Sequence, residues 1–148
     1  MTRRMIDAYP ELIIPKTAAE AEALIRSDKF SIASVMGLEG GHMIGESLAI
    51  LRQYYELGIR YMTLTHICSL PWVVASPDDE KTEEGLTDFG IKVVKEMNRL
   101  GMIVDLAHVS QQTMRGTIAR ACSKLFLRCP CSYDGTSDVL PLICPCPC

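Results

Sequence analysis

The chain has 148 residues, a formal net charge of −3 and 48% apolar residues, which suffices for one ordinary globular domain with a buried core. This composition argues against intrinsic disorder, and the scattered Lys and Arg residues argue against a nucleic-acid-binding surface. No run of eighteen apolar residues occurs and the first residues lack an apolar stretch, so the sequence predicts neither membrane insertion nor an export signal.

The cysteines divide the sequence into two parts. Cys68 stands alone within the first 121 residues, whereas the other six of the 7 cysteines lie in residues 122–148. The Cys-Pro repeats at 129–131 and 144–148 match neither a helix nor a strand, because proline interrupts both. We therefore predict a regular domain over residues 1–121 and an irregular Cys- and Pro-rich tail over residues 122–148.

Helices and strands are predicted to alternate in the first half of the regular part. Thr17 and Glu20 form a capping box that begins a short helix. Residues 30–37 are rich in β-branched and apolar side chains and predict one strand. Residues 47–57 place apolar side chains on one helical face, and Gly58 ends this helix.

The same alternation continues in the second half. Residues 59–65 predict a second strand, which His66 follows. Residues 67–86 contain two prolines and an acidic run and predict an exposed loop. Three further elements are predicted in order: a helix from Thr87 to Gly101, a strand at 102–107 and a helix from Ser110 to Ile118.

This alternation is typical of α/β proteins with a parallel sheet, either open or closed as a (β/α)8 barrel. In both architectures, ligands bind at the carboxyl ends of the strands. Glu39, His66 and His108 all follow predicted strands. Because a carboxylate and two imidazoles suit metal binding and acid–base chemistry, we predict a functional site at this edge of the sheet.

Each of these residues also has a structural interpretation. Glu39 precedes two glycines, which serve either a tight turn or the close approach of the backbone to a ligand. His66 is compatible with a histidine that hydrogen-bonds a loop carbonyl. His108 and Asp105 interrupt an apolar strand, which costs free energy unless both are satisfied and therefore favours function. His42 is assigned to the surface at a helix start.

Several motifs support a more specific interpretation. They are Gly37-Leu-Glu-Gly-Gly-His42, residues 54–66, 85–90 and 93–101, and Asp105-Leu-Ala-His-Val-Ser110. Together they resemble the membrane (renal-type) dipeptidases of zinc peptidase family M19. The resemblance implies a partial (β/α)8 TIM barrel of about three consecutive βα units. It also implies hydrolysis of dipeptides at a site with two zinc ions.

The resemblance implies a role for each candidate residue. Glu39 resembles the carboxylate that bridges the two zinc ions, as metal ligand and catalytic residue. His108 resembles an imidazole ligand of one zinc ion. His66 resembles the catalytic histidine that contacts the substrate and polarises its scissile carbonyl. Cys68 resembles a cysteine that pairs, in the family, with one nearer the N-terminus that this sequence lacks.

The sequence departs from the family at the metal ligands. The family's His-x-Asp pair does not occur, and no histidine follows His108. Two of about five expected ligands remain, which is too few for a zinc ion with about four ligands. A closed barrel also takes about 250 residues. We therefore expect a truncated or alternatively read dipeptidase product with little or no activity on its own.

A second class of function stays open. The chain is also compatible with a non-catalytic product that acts as an interaction partner, or with a thiol-rich metal binder built on the tail cysteines. The resemblance implies a dipeptide as substrate and leaves a homo-oligomer open. Family members are often extracellular and held at the membrane by a GPI lipid anchor. Nothing in these residues shows such an anchor, so the sequence does not determine the localisation.

Overall fold

The chain forms two compact units, residues 1–36 and residues 37–148. The computed structural model describes residues 2–27, 30–81, 85–119 and 126–127. Within these ranges no helix has the length and apolar character needed to cross a membrane. The predicted boundary between residues 121 and 122 and the Cys-Pro repeats lie outside the described residues, so that division of the chain stays a prediction.

The first unit contains two helices and two short strands. They are α1 (Thr2–Asp7), β1 (Leu12–Ile13), α2 (Ala18–Ile25) and β2 (Ile32–Ala33), and the two strands pair in parallel. The predicted capping of α2 is confirmed, because the Thr17 hydroxyl accepts a hydrogen bond from the Glu20 amide at 3.1 Å. The Glu20 carboxylate accepts from the amide of Lys16 at 2.7 Å, one residue before the cap.

The second unit is built on a four-stranded sheet. Its elements are β3 (Met36–Glu39), α3 (Leu48–Glu56), β4 (Ile59–Thr63), α4 (Asp88–Leu100), β5 (Ile103–Asp105), α5 (Gln111–Ile118) and β6 (Phe126–Leu127), with 3-10 helices at Gly41–Ile44 and Ser76–Lys81. The strand order is β3-β4-β5-β6, and both β4–β5 and β5–β6 are parallel. The predicted α/β class with a parallel sheet is therefore confirmed.

Side-chain caps begin the helices where the sequence predicts them. The hydroxyls of Ser47, Thr87 and Ser110 accept hydrogen bonds from amides three residues further on, at 3.4, 3.4 and 3.0 Å. α4 ends at Gly101, whose φ of 76° lies in the left-handed region that glycine adopts without steric cost. The predicted helices α3, α4 and α5 are thus confirmed.

The prediction of one strand over residues 30–37 is wrong. The segment forms β2 and the start of β3, which Ser34 and Val35 separate. β2 pairs with β1, whereas β3 lies beside β4 in the other sheet. A segment that joins two sheets cannot continue as one straight strand, although its composition favours strand throughout.

The prediction of an exposed loop over residues 67–86 is also wrong for its central part. Trp72 and Val73 are 1% exposed and Ala75 is fully buried. Backbone bridges join Val73 to Leu86 and Ala75 to Val109. The apolar run around Trp72 enters the core, because burying one large apolar side chain stabilises the fold by about 1.5–3 kcal/mol.

The core of the second unit combines strand, helix and loop side chains that are all 1% exposed or less. Its largest members are Ile44, Leu51, Met62, Leu64, Trp72, Val73, Val93, Val94, Met97, Met102 and Val104. The Trp72 and Phe89 rings meet edge to face at 6.0 Å between centroids. The loop before α4 and the helix itself are therefore packed into one cluster with the sheet.

A buried carboxylate joins α3 to α4. Glu96 is 8% exposed and accepts hydrogen bonds from Arg52 Nε at 2.6 Å and from Arg99 Nη2 and Nε at 2.6 and 2.8 Å. The Arg99 hydrogen bonds and then those of Arg52 lower the pKa of Glu96 from 4.5 to about 2, although burial opposes them. Because the folded-state pKa is the lower one, this stabilisation is complete above about pH 4.5 and is lost as the pH falls toward 2.

We expect Glu96→Gln to lower the free energy of unfolding at pH 7 by about 1–2 kcal/mol, since water screens its half-exposed arginine partners. The difference from wild type should shrink as the pH falls from 4.5 toward 2. Urea unfolding over this pH range measures it. The control Glu22→Gln breaks an ion pair to Arg26 in which Glu22 is 63% exposed. It should cost under about 0.5 kcal/mol, and equal losses in both variants would contradict the prediction.

Candidate metal centre

Glu39 is the last residue of β3, and its side chain is 69% exposed. The following Gly40 has a φ of 111°, which favours glycine. A Cβ on Gly41 would lie 2.5 Å from the Trp72 ring and 2.6 Å from the Leu64 carbonyl oxygen. The space beside Gly41 is therefore filled by protein atoms, those of Trp72 and Leu64, and not by a ligand.

His66 lies three residues beyond the end of β4, in the connection that leads to Trp72. Its Nε2 atom is 3.6 Å from Oε1 of Glu39, and its side chain is 38% exposed. This distance exceeds that of a hydrogen bond. The imidazole and the carboxylate are thus neighbours that no direct hydrogen bond joins.

His108 lies three residues beyond the end of β5. Its φ of 63° is the one positive value outside glycine in the described part of the chain. Before it, the Asp105 carboxylate accepts from the Ala107 amide at 3.0 Å and from the Thr63 hydroxyl at 2.6 Å, which turns the chain out of the strand. The imidazole rings of His108 and His66 meet at 4.7 Å between centroids and 71° between planes.

The structure brings the three candidate residues together. Glu39, His66 and His108 each offer a ligand atom, and these atoms lie within 4.8 Å of one another. Two zinc ligands at about 2.0–2.2 Å from a tetrahedral ion lie roughly 3.3–3.6 Å apart. The distance between Glu39 and His66 meets this value, and the other pairs must close by up to about 1.5 Å. The cluster therefore fits a metal ion, and His66 lies within reach as a third donor.

His42 and Cys68 lie beside this cluster and are not among its three donors. An open cavity of about 270 Å³ is lined by His42, His66, Ile67, Cys68 and Leu70. His42 is exposed in the 3-10 helix, as predicted. Cys68 carries an exposed free thiol, so the pairing that the resemblance implies has no counterpart among the described residues.

Two buried threonines support the site, and no sequence-based prediction included them. Thr63 is 3% exposed and Thr65 is fully buried. The Thr63 hydroxyl binds Asp105, and the Thr65 hydroxyl donates to the His108 carbonyl at 2.8 Å. Their signal in the sequence is the alternation Thr63-Leu-Thr65, because a hydroxyl on a buried strand needs a hydrogen-bond partner.

Comparisons with known proteins identify the family of the chain. The family model described as membrane dipeptidase (peptidase family M19) matches residues 1–124. Dipeptidase 3 of Rattus norvegicus is 45% identical over 122 residues, which cover 80% of this chain and 24% of the relative. The chain therefore belongs to peptidase family M19, the membrane dipeptidases. It spans about a quarter of the length of the curated relative.

Solved structures share the fold. A metallopeptidase from Rhodobacter sphaeroides, liganded with a phosphinate mimic of the dipeptide L-Ala-D-Ala, aligns with a TM-score of 0.67 and 25% identity, covering 80% of this chain and 34% of that one. An amidohydrolase from Pseudomonas aeruginosa aligns with a TM-score of 0.69 over 84% of this chain and 37% of that one, and its 19% identity shows the fold alone. The predicted fold, consecutive βα units of a (β/α)8 barrel, is confirmed.

We expect Gly41→Ala to lower the free energy of unfolding by about 3 kcal/mol, since the added methyl group overlaps Trp72 and the Leu64 carbonyl. The matched control is Gly101→Ala. Gly101 has left-handed φ and ψ values of 76° and 26° but no atom within 4 Å of its Cβ position, so only backbone strain of about 1 kcal/mol is expected. Urea unfolding followed by the fluorescence of Trp72, the single tryptophan, measures both variants. A larger loss of stability in Gly101→Ala than in Gly41→Ala would contradict this explanation by packing.

Proposed function

We propose that this chain carries part of the metal centre of a zinc-dependent enzyme that hydrolyses dipeptides. The proposal rests on one observation. Glu39, His66 and His108 come together at the carboxyl ends of three neighbouring strands, β3, β4 and β5. Membership of peptidase family M19 supports a dipeptidase. The dipeptide mimic bound by the Rhodobacter sphaeroides metallopeptidase supports dipeptides as the substrate class.

The donor chemistry supports zinc. Imidazole and carboxylate groups are ligands that zinc binds well. In this proposal, Glu39 and His108 would hold zinc. Zinc held there would supply a Lewis acid for the scissile carbonyl and would lower the pKa of water.

His66 has a different role in this proposal. Its side chain is 38% exposed and is therefore accessible to a bound dipeptide. From this position an imidazole N–H can donate to the carbonyl oxygen on which negative charge develops. The alternative role, direct ligation of the metal, follows from its distance of 3.6 Å to Glu39. The two roles predict different metal affinities for a His66 variant.

We expect Glu39→Gln and His108→Ala to weaken zinc binding by more than the 10–100-fold that loss of a hydrogen-bond partner of a metal ligand typically costs. His66→Ala should weaken it by less than about tenfold, because a substrate contact leaves the ligands in place. Isothermal calorimetry with Zn²⁺ measures all three variants. The control His42→Asn should bind zinc like wild type, since His42 lies outside the three donors. Equal losses in the His66 and His108 variants would make His66 a ligand.

We also propose that the 148-residue chain alone is inactive. The three candidate donors that come together among the described residues are fewer than two zinc ions need, because each ion takes about four ligands. We expect one zinc ion at this cluster and no hydrolysis of a simple dipeptide. Metal analysis and a hydrolysis assay measure both, and two zinc ions per chain together with turnover would contradict the prediction.

The same measurements separate the second class of function. Zinc that persists in Glu39→Gln and His108→Ala but is lost after alkylation of the thiols would assign metal binding to the cysteine tail. Association of subunits stays open, and a lipid anchor and an extracellular location are features of the family that the sequence of this chain does not determine.

A further inference from the structure

The backbone of His108 has an unfavourable conformation. Its φ of 63° is left-handed, which costs a residue other than glycine about 1–3 kcal/mol and persists only where the surroundings hold it. Two hydrogen bonds hold the His108 carbonyl, from the Thr65 hydroxyl at 2.8 Å and from the Ser76 amide at 2.9 Å. The conformation of His108 is therefore determined by two segments that are distant in the sequence.

Thr65 is placed where the pairing of β4 and β5 ends. The Leu64 amide donates to the Asp105 carbonyl at 3.3 Å, which extends the ladder one step beyond the strands. One residue further on, the donor is a side chain instead of a backbone amide: the Thr65 hydroxyl donates to the His108 carbonyl. Because Thr65 is fully buried, no water competes for its hydroxyl.

The second donor, Ser76, belongs to a segment that is held in place by contacts in which Thr65 takes no part. The Ser110 amide donates to the Val74 carbonyl at 3.0 Å, and a backbone bridge joins Ala75 to Val109. The fully buried Thr113 hydroxyl accepts from the Val74 amide at 3.3 Å. The amide of Ser76 therefore stays in place when the side chain of Thr65 changes, and Thr65 can be tested by itself.

We propose that Thr65 is the positioning residue of the site: its hydroxyl holds His108 in the left-handed conformation that brings the imidazole to Glu39 and His66. This inference rests on the proposed function only in one respect: metal binding is the purpose of holding His108 in this position. Loss of the hydroxyl leaves the His108 carbonyl with one hydrogen bond, from the Ser76 amide, instead of two. The backbone then relaxes and the imidazole moves away from the other two donors.

Substitutions of Thr65 separate the effect of its hydroxyl from the effect of its methyl group. Thr65→Ser removes a methyl group and keeps the donor, whereas Thr65→Ala and Thr65→Val remove the donor. The matched control is Thr117→Val, because Thr117 is also fully buried and donates to a backbone carbonyl, that of Thr113, at 2.8 Å within α5. Its loss should reduce stability without moving His108.

The first measurement uses the metal-free 148-residue chain. An NMR cross-peak between the ring protons of His66 and His108 reports their contact, since the ring centroids lie 4.7 Å apart. We expect this cross-peak in wild type, Thr65→Ser and Thr117→Val, and its loss in Thr65→Ala and Thr65→Val. If the valine variant does not fold, the serine and alanine pair still decides the outcome.

The second measurement is the affinity for Co²⁺, followed by its visible absorption. Thr65→Ala should weaken binding about 10–100-fold, as loss of an outer partner of a metal ligand does, and Thr65→Ser should restore it. An unchanged cross-peak in Thr65→Ala and Thr65→Val, or its equal loss in Thr117→Val, would overturn the proposal. If the cross-peak follows the hydroxyl but no variant and no wild-type chain binds Co²⁺, Thr65 keeps its role and the proposed function fails.

Discussion

Parallel pairing of β4 with β5 is the constraint on which the site depends. Thr63 lies opposite Asp105 in the register of these strands, and the two histidines each follow three residues later. Strands that run in the same direction release their chains at the same edge, so residues 42 positions apart in the sequence become neighbours. Because β3 lies beside β4, Glu39 reaches the same edge. A shift of the pairing by one residue would turn the two imidazoles to different faces.

Stability and geometry come from different parts of the second unit. The apolar cluster around Leu51, Met62 and Val104 supplies most of the stabilisation, since burial of apolar surface is the largest favourable contribution to folding. Buried hydroxyls add little net free energy, but each is costly to leave without a partner. The threonines at positions 63 and 65 therefore fix how the chain leaves the strands, which apolar contacts alone do not determine.

Local signals in the sequence predict most of the fold. Caps at Ser47, Thr87 and Ser110 act within one helical turn, and the alternation of strands and helices predicts the parallel sheet. The wrong predictions concern segments whose structure depends on residues that are distant in the sequence. The break in residues 30–37 depends on two different sheets, and the burial of Trp72 depends on Gly41 in another segment.

In the site, too, local sequence signals predict some features and distant residues determine others. The positions of its three donors follow from strand ends and were predicted, whereas the left-handed backbone of residue 108 depends on hydrogen bonds from two other segments and was not. The exposure of the Glu39 carboxylate has a consequence for the strength of the site. Two unit charges about 4 Å apart interact by about 1 kcal/mol in water and by about 4 kcal/mol at an effective dielectric constant of about 20. A segment that covered this edge and excluded water would therefore strengthen the interaction of Glu39 with a bound cation several-fold without moving the carboxylate.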